Sequence, residues 1–285
     1  MKRLVSLAAA SVMCGAAVLG TTSIASASIH TTPARMNVAQ PGGPMVRPTG
    51  GYTPLPTYSE NWSGYGAVSK QQFTSVSSTF VEPSIKCTGA PHQMTSNWVG
   101  LDGFKNQTVE QDGTAAACEG TTHMTPTYTA WIEMYPLPEQ IVFKVSAGDI
   151  IQASVNYTGG QFVLAVTDET SGKTKTVSDG CATCARASAE WIIERPAYCN
   201  SSFTKCDLFA LPNFGTSTMS GDTASVAGGP VENANKLHPI NISMIQPLKK
   251  GFITLDTVGA LNRSSFTATF DRSGTIVPIT LGPKS

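Results

Sequence analysis

The chain has 285 residues, with 19 Lys and Arg against 19 Asp and Glu, so its formal net charge at pH 7 is zero. A chain with no basic excess and no basic patch lacks the electrostatic signature of a nucleic-acid-binding protein, and nucleic acid is therefore excluded as a partner.

The first residues have the organisation of a secretory signal peptide. Lys2 and Arg3 form a charged start, residues 4–19 are apolar but short for a membrane span, and Ala25-Ser26-Ala27 gives a small-x-small cleavage pattern. The sequence predicts a signal peptide over residues 1–27. We therefore expect a secreted, extracellular protein with no membrane attachment after cleavage.

Export makes disulfides the expected state of the cysteines that remain. We predict the pairs Cys87–Cys118, Cys199–Cys206 and Cys181–Cys184, the last closing a tight loop. The alternative is a zinc site built on the four cysteines from position 181 to 206. The Gly, Ala and Thr residues around them are unlike a zinc ribbon, so no metal site is predicted.

Residues 28–59 are rich in Pro, Gly and Thr and show little periodicity. Such a segment buries too little apolar surface to order itself, so it is predicted to be a linker or a removable pro-segment without core residues. The folded domain is expected to span residues 60–285, with a mature amino terminus near Glu60. Its length suits a single all-β domain.

Within that domain, β-branched and aromatic runs recur between turn signals, and helical periodicity is almost absent. About fourteen strands predict an all-β sandwich of two antiparallel sheets packed face to face. The predicted strands lie near residues 62–68, 73–80, 96–101, 109–115, 127–135, 140–145, 150–157, 162–168, 173–177, 190–195, 217–227, 240–245, 252–256 and 265–271.

The stretch over residues 188–194 places a carboxylate in the middle of a predicted strand. Alternation puts Ala189, Trp191 and Ile193 on one face and Glu190 on the other, beside Ile192. A carboxyl group is costly to bury without a task or a partner, so Glu190 is a candidate catalytic residue. The simpler alternative is a solvated glutamate on an exposed strand face.

Two further strands repeat this arrangement. The parity of residues 97–102 puts Trp98 and Asp102 on one face, and that of residues 128–135 does the same for Trp131 and Glu133. Gln111 adds an amide beside a glycine turn. Acids and indoles that share a face are typical of a ligand-binding groove.

The usual hydrolase motifs are absent from the sequence. It contains neither a Gly-x-Ser-x-Gly elbow nor a His-Glu-x-x-His pair, and its four histidines lie in the tail or in turn-like contexts. Catalysis would therefore have to use carboxylates and amides.

Five stretches, taken together, resemble the successive motifs of the glutamic peptidases, the eqolisins, in the family's order and at about its spacing. They are Asn61-Trp62-Ser63-Gly64-Tyr65-Gly66-Ala67-Val68, Trp98-Val99-Gly100-Leu101-Asp102-Gly103, Gln111-Asp112-Gly113-Thr114, Ala130-Trp131-Ile132-Glu133-Met134-Tyr135-Pro136 and Ala189-Glu190-Trp191-Ile192-Ile193-Glu194.

The resemblance implies a concanavalin-A-like sandwich of two seven-stranded sheets and a pepstatin-insensitive acid endopeptidase. It also implies that Glu190 and Gln111 are the catalytic pair. Trp98, Asp102, Trp131 and Glu133 would line the substrate groove. Polypeptides would be the substrates, no cofactor would be needed, and we expect a monomer.

Three departures from the family pattern qualify these expectations. The chain is near neutral, whereas the fungal members are strongly acidic. The segment before Gln111 is about one residue shorter, and Ala115 stands where the family has an acid. We expect a bell-shaped activity profile with its maximum at roughly pH 3–5, because carboxyl groups in contact share protons.

The sequence leaves three other functions as alternatives. A glycoside hydrolase could use Glu133 and Glu190 as its carboxylate pair, although the usual Glu-x-Asp-x-Glu strand is absent. A lectin-like module could stack sugars on Trp98 and Trp131. A structural cell-wall protein would have no groove.

Overall fold

The computed structural model describes residues 45–48, 57–88, 92–120, 124–200 and 205–280, all within the compact unit Asn37–Ser285. The predicted signal peptide and most of the predicted pro-segment lie outside the described residues. Across the described ranges, none of the helical structure is long or apolar enough to cross a membrane.

The described residues form an all-β sandwich, as predicted. In chain order the strands are β1 (Thr57–Ser59), β2 (Trp62–Val68), β3 (Phe73–Val81), β4 (Met94–Leu101), β5 (Val109–Glu119), β6 (Thr125–Tyr135), β7 (Gln140–Lys144), β8 (Ile150–Thr158), β9 (Gln161–Asp168), β10 (Lys173–Asp179), β11 (Ser188–Glu194), β12 (Ala197–Cys199), β13 (Lys205–Leu208), β14 (Thr216–Val226), β15 (Glu232–Asn233), β16 (Ile240–Pro247), β17 (Phe252–Thr254), β18 (Asp256–Val258), β19 (Ser265–Phe270) and β20 (Val277–Thr280). A single 3-10 turn, Ala234–Leu237, precedes β16.

Two large sheets make up the sandwich. The first has nine strands in the order β1-β16-β2-β11-β4-β5-β6-β7, with β17 paired to β16, and the second has eight in the order β10-β9-β8-β3-β14-β19-β18, with β15 paired to β14. A small third sheet, β12-β13-β20, was not predicted. The predicted strand over residues 252–256 is divided at Leu255, because β17 pairs within the first sheet and β18 within the second.

Strand alternation separates two apolar regions. The core between the two sheets includes Trp191 and Ile193, which lie on the inner face of β11. A second cluster lies on the outer face of the first sheet and contains Trp62, Trp98, Trp131, Phe104 and Ile192, among others. We call this second cluster the outer cluster.

The fold begins before Glu60, contrary to prediction. Thr57–Ser59 form β1, which runs parallel to β16, and both Thr57 and Ser59 are buried. The Ser59 hydroxyl donates to the carbonyl oxygen of Val46 at 3.1 Å, and the Val46 amide donates to Asn61 Oδ1 at 2.7 Å. The expectation that residues 28–59 hold no core residues is therefore wrong.

The three predicted disulfides are all present. Cys87 pairs with Cys118, Cys181 with Cys184, and Cys199 with Cys206. These pairings exclude the alternative zinc site, because none of these thiols is free to bind a metal.

Candidate active site

The residues predicted to be catalytic lie in one row across the first sheet. Glu190 on β11 pairs with Gly66 on one side and with Gly100 on the other. Gly100 pairs in turn with Gln111 on β5, and Gln111 pairs with Glu133 on β6. Their parity with Ile192, Trp98 and Trp131 of the outer cluster puts these side chains on the outer face of the sheet.

Gly100 lies between the two candidate catalytic residues in this row. Glu190 and Gln111 are two strands apart, which corresponds to about 9–10 Å between their backbones. A Cβ atom at Gly100 would lie 2.9 Å from the Trp98 ring and 3.2 Å from the Cβ of Gln111. A glycine here therefore lets the Trp98 ring and the Gln111 side chain pack closely against the backbone between the two candidate residues.

Glu190 is fully buried, and no donor among the described residues meets hydrogen-bond geometry to either of its carboxyl oxygens. Burial raises its pKa well above the ordinary value, and the nearby Ser188 hydroxyl opposes this only in part. The carboxyl groups of Asp102 and Glu110 raise the pKa further. Glu190 is therefore protonated in acid and gains its charge only at higher pH.

Gln111 is oriented by the acid opposite it. Its Nε2 atom donates to Glu133 Oε2 at 2.6 Å, and both side chains are buried. A primary amide carries two donor hydrogens, and this bond engages one of them. Because Glu133 is the acceptor of this bond, the NH₂ group of the amide lies on the Glu133 side.

The predicted groove tryptophans form a buried wall. Trp98 and Trp131 are 0% exposed. Trp98 Nε1 donates to Glu194 Oε2 at 2.7 Å, and Trp131 Nε1 donates to Ser96 Oγ at 3.2 Å. Neither indole ring offers an exposed stacking surface, which is the feature that the lectin-like alternative requires.

Asp102 lies beside the row but is used by the backbone. Its carboxylate accepts hydrogen bonds from the amides of Arg186 at 2.6 Å and Ala187 at 2.7 Å, and from Asn106 Nδ2 at 2.8 Å. These bonds attach the loop after β4 to the chain just before β11. Asp102 therefore holds the strand that carries Glu190, and the contacts give it a structural role in place of the predicted groove position.

Phe104 is a site residue that sequence reasoning missed. Its ring lies over Gly66, where an added Cβ atom would be 2.8 Å from the ring, and Gly66 is the neighbour of Glu190 in the row. The guanidinium of Arg47 lies over the same ring, 5.4 Å from its centroid. A lone aromatic residue in a loop gives no periodic signal, so its position could not be predicted.

The chain is similar to known proteins in sequence and in fold. Residues 60–269 match the peptidase A4 family. Scytalidopepsin B from Scytalidium lignicola is 29% identical over 180 residues, which cover 61% of this chain and 66% of that protein, just under two thirds of its length.

Two groups of solved structures share the fold. A scytalido-glutamic peptidase crystallised with a transition-state analogue inhibitor superposes with a TM-score of 0.62 at 23% identity, covering 74% of this chain and 98% of the other. The aspergilloglutamic peptidase of Aspergillus niger gives a TM-score of 0.51 at 24% identity, covering 63% of this chain and 99% of that one.

Proposed function

The chain belongs to the peptidase A4 family, and from that premise we propose that it is a secreted acid endopeptidase in which Glu190 and Gln111 hydrolyse peptide bonds. One observation carries the proposal. Glu190, Gly100 and Gln111 are consecutive members of one cross-strand row, and the residue between the acid and the amide is a glycine. The row provides a base and an oxyanion donor on the same face of the sheet.

The two side chains suit the two halves of amide hydrolysis. Ionised Glu190 takes a proton from water, and the hydroxide formed attacks the carbonyl carbon. The negative charge that develops on the carbonyl oxygen is stabilised by the Gln111 NH₂ group. Glu190 then gives its proton to the amide nitrogen, and the carbon–nitrogen bond breaks to release the amine.

Glu133 is proposed to act through Gln111. By accepting a hydrogen bond from the amide, it holds the orientation in which the NH₂ group meets the substrate oxygen, and it does so without changing the neutral charge of the amide. Trp98 and Trp131 lie on the same face of the sheet as the row, where their burial lowers the local polarity and strengthens the oxyanion interaction.

The acid range of activity is proposed from the same groups. Below its raised pKa, Glu190 is a neutral acid and cannot take a proton from water, which limits activity at low pH. At higher pH, the neighbouring carboxyl groups lose the shared protons that keep them from repelling one another. The result is a bell-shaped profile whose acid limb follows the ionisation of Glu190.

Export and processing are also proposed. Three disulfides are expected of a protein that folds in an oxidising compartment. Processing of the tail is proposed to leave the segment from Met45 onward in place, because Met45 packs against the outer cluster.

The experiment is incubation of the purified protein with denatured casein from pH 2 to 7, beside the Glu190→Gln variant. We expect acid-dependent cleavage by the wild-type protein and almost none by the variant, with pepstatin and EDTA having no effect. Casein that stays intact at every pH, or equal cleavage by the variant, would contradict the proposal.

A further inference from the structure

The segment between β10 and β11 carries a disulfide that differs from the other two. Cys181 and Cys184 are joined across only two residues, Ala182 and Thr183, and both of those residues are exposed. Each cysteine of this pair is itself partly exposed. In the other pairs one cysteine is buried, Cys118 with 8% and Cys206 with 3% of its surface exposed.

Loop length argues against a stabilising role for this disulfide. In the chain-entropy description, a disulfide stabilises a fold more when it closes a longer loop. Cys87 and Cys118 are 31 residues apart, whereas Cys181 and Cys184 are 3 apart. The shorter bridge therefore constrains the unfolded chain least, and its accessible position exposes it to attack.

A buried carboxyl group points at the same disulfide. A carboxyl oxygen of Glu110 and the two Sγ atoms all lie within 4.8 Å of one another. Together with Tyr135 at the end of β6 and Leu137 in the turn that follows, they line a pocket of about 260 Å³.

Burial and a neighbouring acid determine the protonation state of the Glu110 carboxyl group. It is 0% exposed, and no donor among the described residues meets hydrogen-bond geometry to either oxygen. The nearest groups that act on it are the Asp102 carboxyl, the Thr108 hydroxyl and, more weakly, the Arg186 guanidinium. Burial first, and Asp102 second, raise its pKa well above the ordinary value, so it holds a proton.

We propose that Cys181–Cys184 is a redox-active disulfide that exchanges with external dithiols, and that the Glu110 carboxyl group supplies the proton to the departing sulfur. The proposal rests on the accessible Cys-x-x-Cys bridge and on the buried carboxyl group within 4.8 Å of both sulfur atoms. It is independent of the peptidase activity.

The exchange proceeds in two displacements. A thiolate of the dithiol attacks one Sγ atom, a mixed disulfide forms, and the Cys181–Cys184 bond breaks. The departing sulfur takes the Glu110 proton, which makes it a better leaving group. The second thiol of the reductant loses its proton, restoring Glu110 to the neutral acid. As a thiolate it attacks the mixed disulfide, which leaves a cyclic disulfide on the reductant and releases the second cysteine sulfur as a thiolate. This thiolate takes up from the solvent the proton that the first attacking thiol had lost, so the protein ends with two cysteine thiols.

The test is a time course of reduction of the folded, full-length protein by dithiothreitol at one fixed pH, followed by alkylation and mass spectrometry of each cysteine. We expect Cys181–Cys184 to be reduced at least about tenfold faster than either other disulfide. The other two bridges in the same sample are the internal controls. Equal rates for the three would overturn the proposal.

Variants distinguish proton donation by the Glu110 carboxyl group from simple accessibility of the Cys181–Cys184 disulfide. Glu110→Gln keeps the size of the side chain but has no proton to give, and it should slow reduction of Cys181–Cys184 about tenfold while leaving the other two rates unchanged. Glu82→Gln is the matched control, because Glu82 is also a buried acid with a raised pKa but is not among the groups at the disulfide; it should leave all three rates unchanged.

Glu110→Asp covers the case in which Glu110→Gln does not fold. The shorter side chain withdraws the acid from the sulfur atoms and should slow the reaction by a smaller factor. An unchanged Cys181–Cys184 rate in a folded Glu110 variant would show that the carboxyl has no part in the exchange.

Discussion

Gln111 and Glu133 face each other across β5 and β6, with 2.6 Å between Gln111 Nε2 and Glu133 Oε2. The acid occupies the position next to the amide in the row that also contains Glu190. A hydrogen bond to a carboxylate is stronger than one to a neutral acceptor, so Glu133 determines where the amide hydrogens point.

Removing this carboxyl group should lower the rate of the chemical step more than substrate binding. We expect Glu133→Gln to reduce kcat by about tenfold or more with little change in KM, because the amide loses its fixed orientation toward the oxyanion. Steady-state kinetics on a defined peptide measures this. Glu232→Gln, on an exposed strand, is the control. A kcat within twofold of the wild-type value would remove Glu133 from the positioning role.

A methyl group at position 100 should impair the reaction. We expect Gly100→Ala to lower kcat/KM by at least about tenfold, because the new Cβ atom would crowd Trp98 and the Cβ of Gln111. Gly180→Ala is the control, since a Cβ atom there has no neighbour within 4 Å. If Gly100→Ala is folded by circular dichroism and fully active, the close packing between Glu190 and Gln111 is not needed for catalysis.

The face that each site residue uses could be predicted from the sequence, because alternation along a strand is a local property. Glu190, Glu133 and Trp131 all lie on the predicted face for this reason. Strand partners and register depend on contacts between distant parts of the chain. The position of Gly100 between Glu190 and Gln111 could therefore not be predicted from parity.

The burial and contacts of individual residues could also not be predicted from the sequence. Asp102 has the parity of a groove residue, but β4 ends at Leu101, and the chain then turns so that the carboxylate reaches the amides of Arg186 and Ala187. Similarly, Ser59 lies in a Pro- and Gly-rich tail that looks unstructured, yet partners far along the chain hold it in a strand.

Stability should be greatest in acid and fall toward neutral pH. Burial raises the pKa of Glu82 from its ordinary 4.5 to about 8, and the pKa values of Asp222 and Asp256 from 3.8 to about 7. Folding raises these pKa values, so the stabilisation is complete below the unfolded values. It is lost as pH rises toward the folded ones, at roughly 1.4 kcal/mol per pH unit for each group. Calorimetry from pH 3 to 8 measures the fall in Tm.

One substitution should flatten this dependence. Asp222 accepts a 2.6 Å hydrogen bond from the Ser78 hydroxyl inside the fold. Asp222→Asn cannot ionise, so the variant should lose less Tm than the wild-type protein between pH 4 and 7. The exposed Asp207→Asn is the control. A wild-type Tm that is constant or rises over this range would contradict the account of the buried acids.

The segment before Glu60 should contribute to stability. The Ser59 hydroxyl oxygen accepts hydrogen bonds from the amides of Asn61 at 3.2 Å and Trp62 at 3.0 Å, and all three residues are buried. Ser59→Ala should lower the free energy of unfolding by about 1–3 kcal/mol, because buried polar groups lose their partner. Urea denaturation measures this against Ser178→Ala on an exposed strand. Equal midpoints would show that the segment is dispensable.

The central claim is that Glu190 and Gln111 act as one catalytic unit, and a double-mutant cycle on the hydrolysis of a single peptide bond tests it most directly. Values of kcat/KM are measured for the wild-type protein, Glu190→Gln, Gln111→Ala and the double variant at the optimum pH, with folding checked by circular dichroism. We expect each single change to reduce kcat/KM at least about a hundredfold, and the double change to add little, because residues of one unit are not additive. A folded single variant that keeps more than about a tenth of the wild-type value would contradict the assignment of that residue.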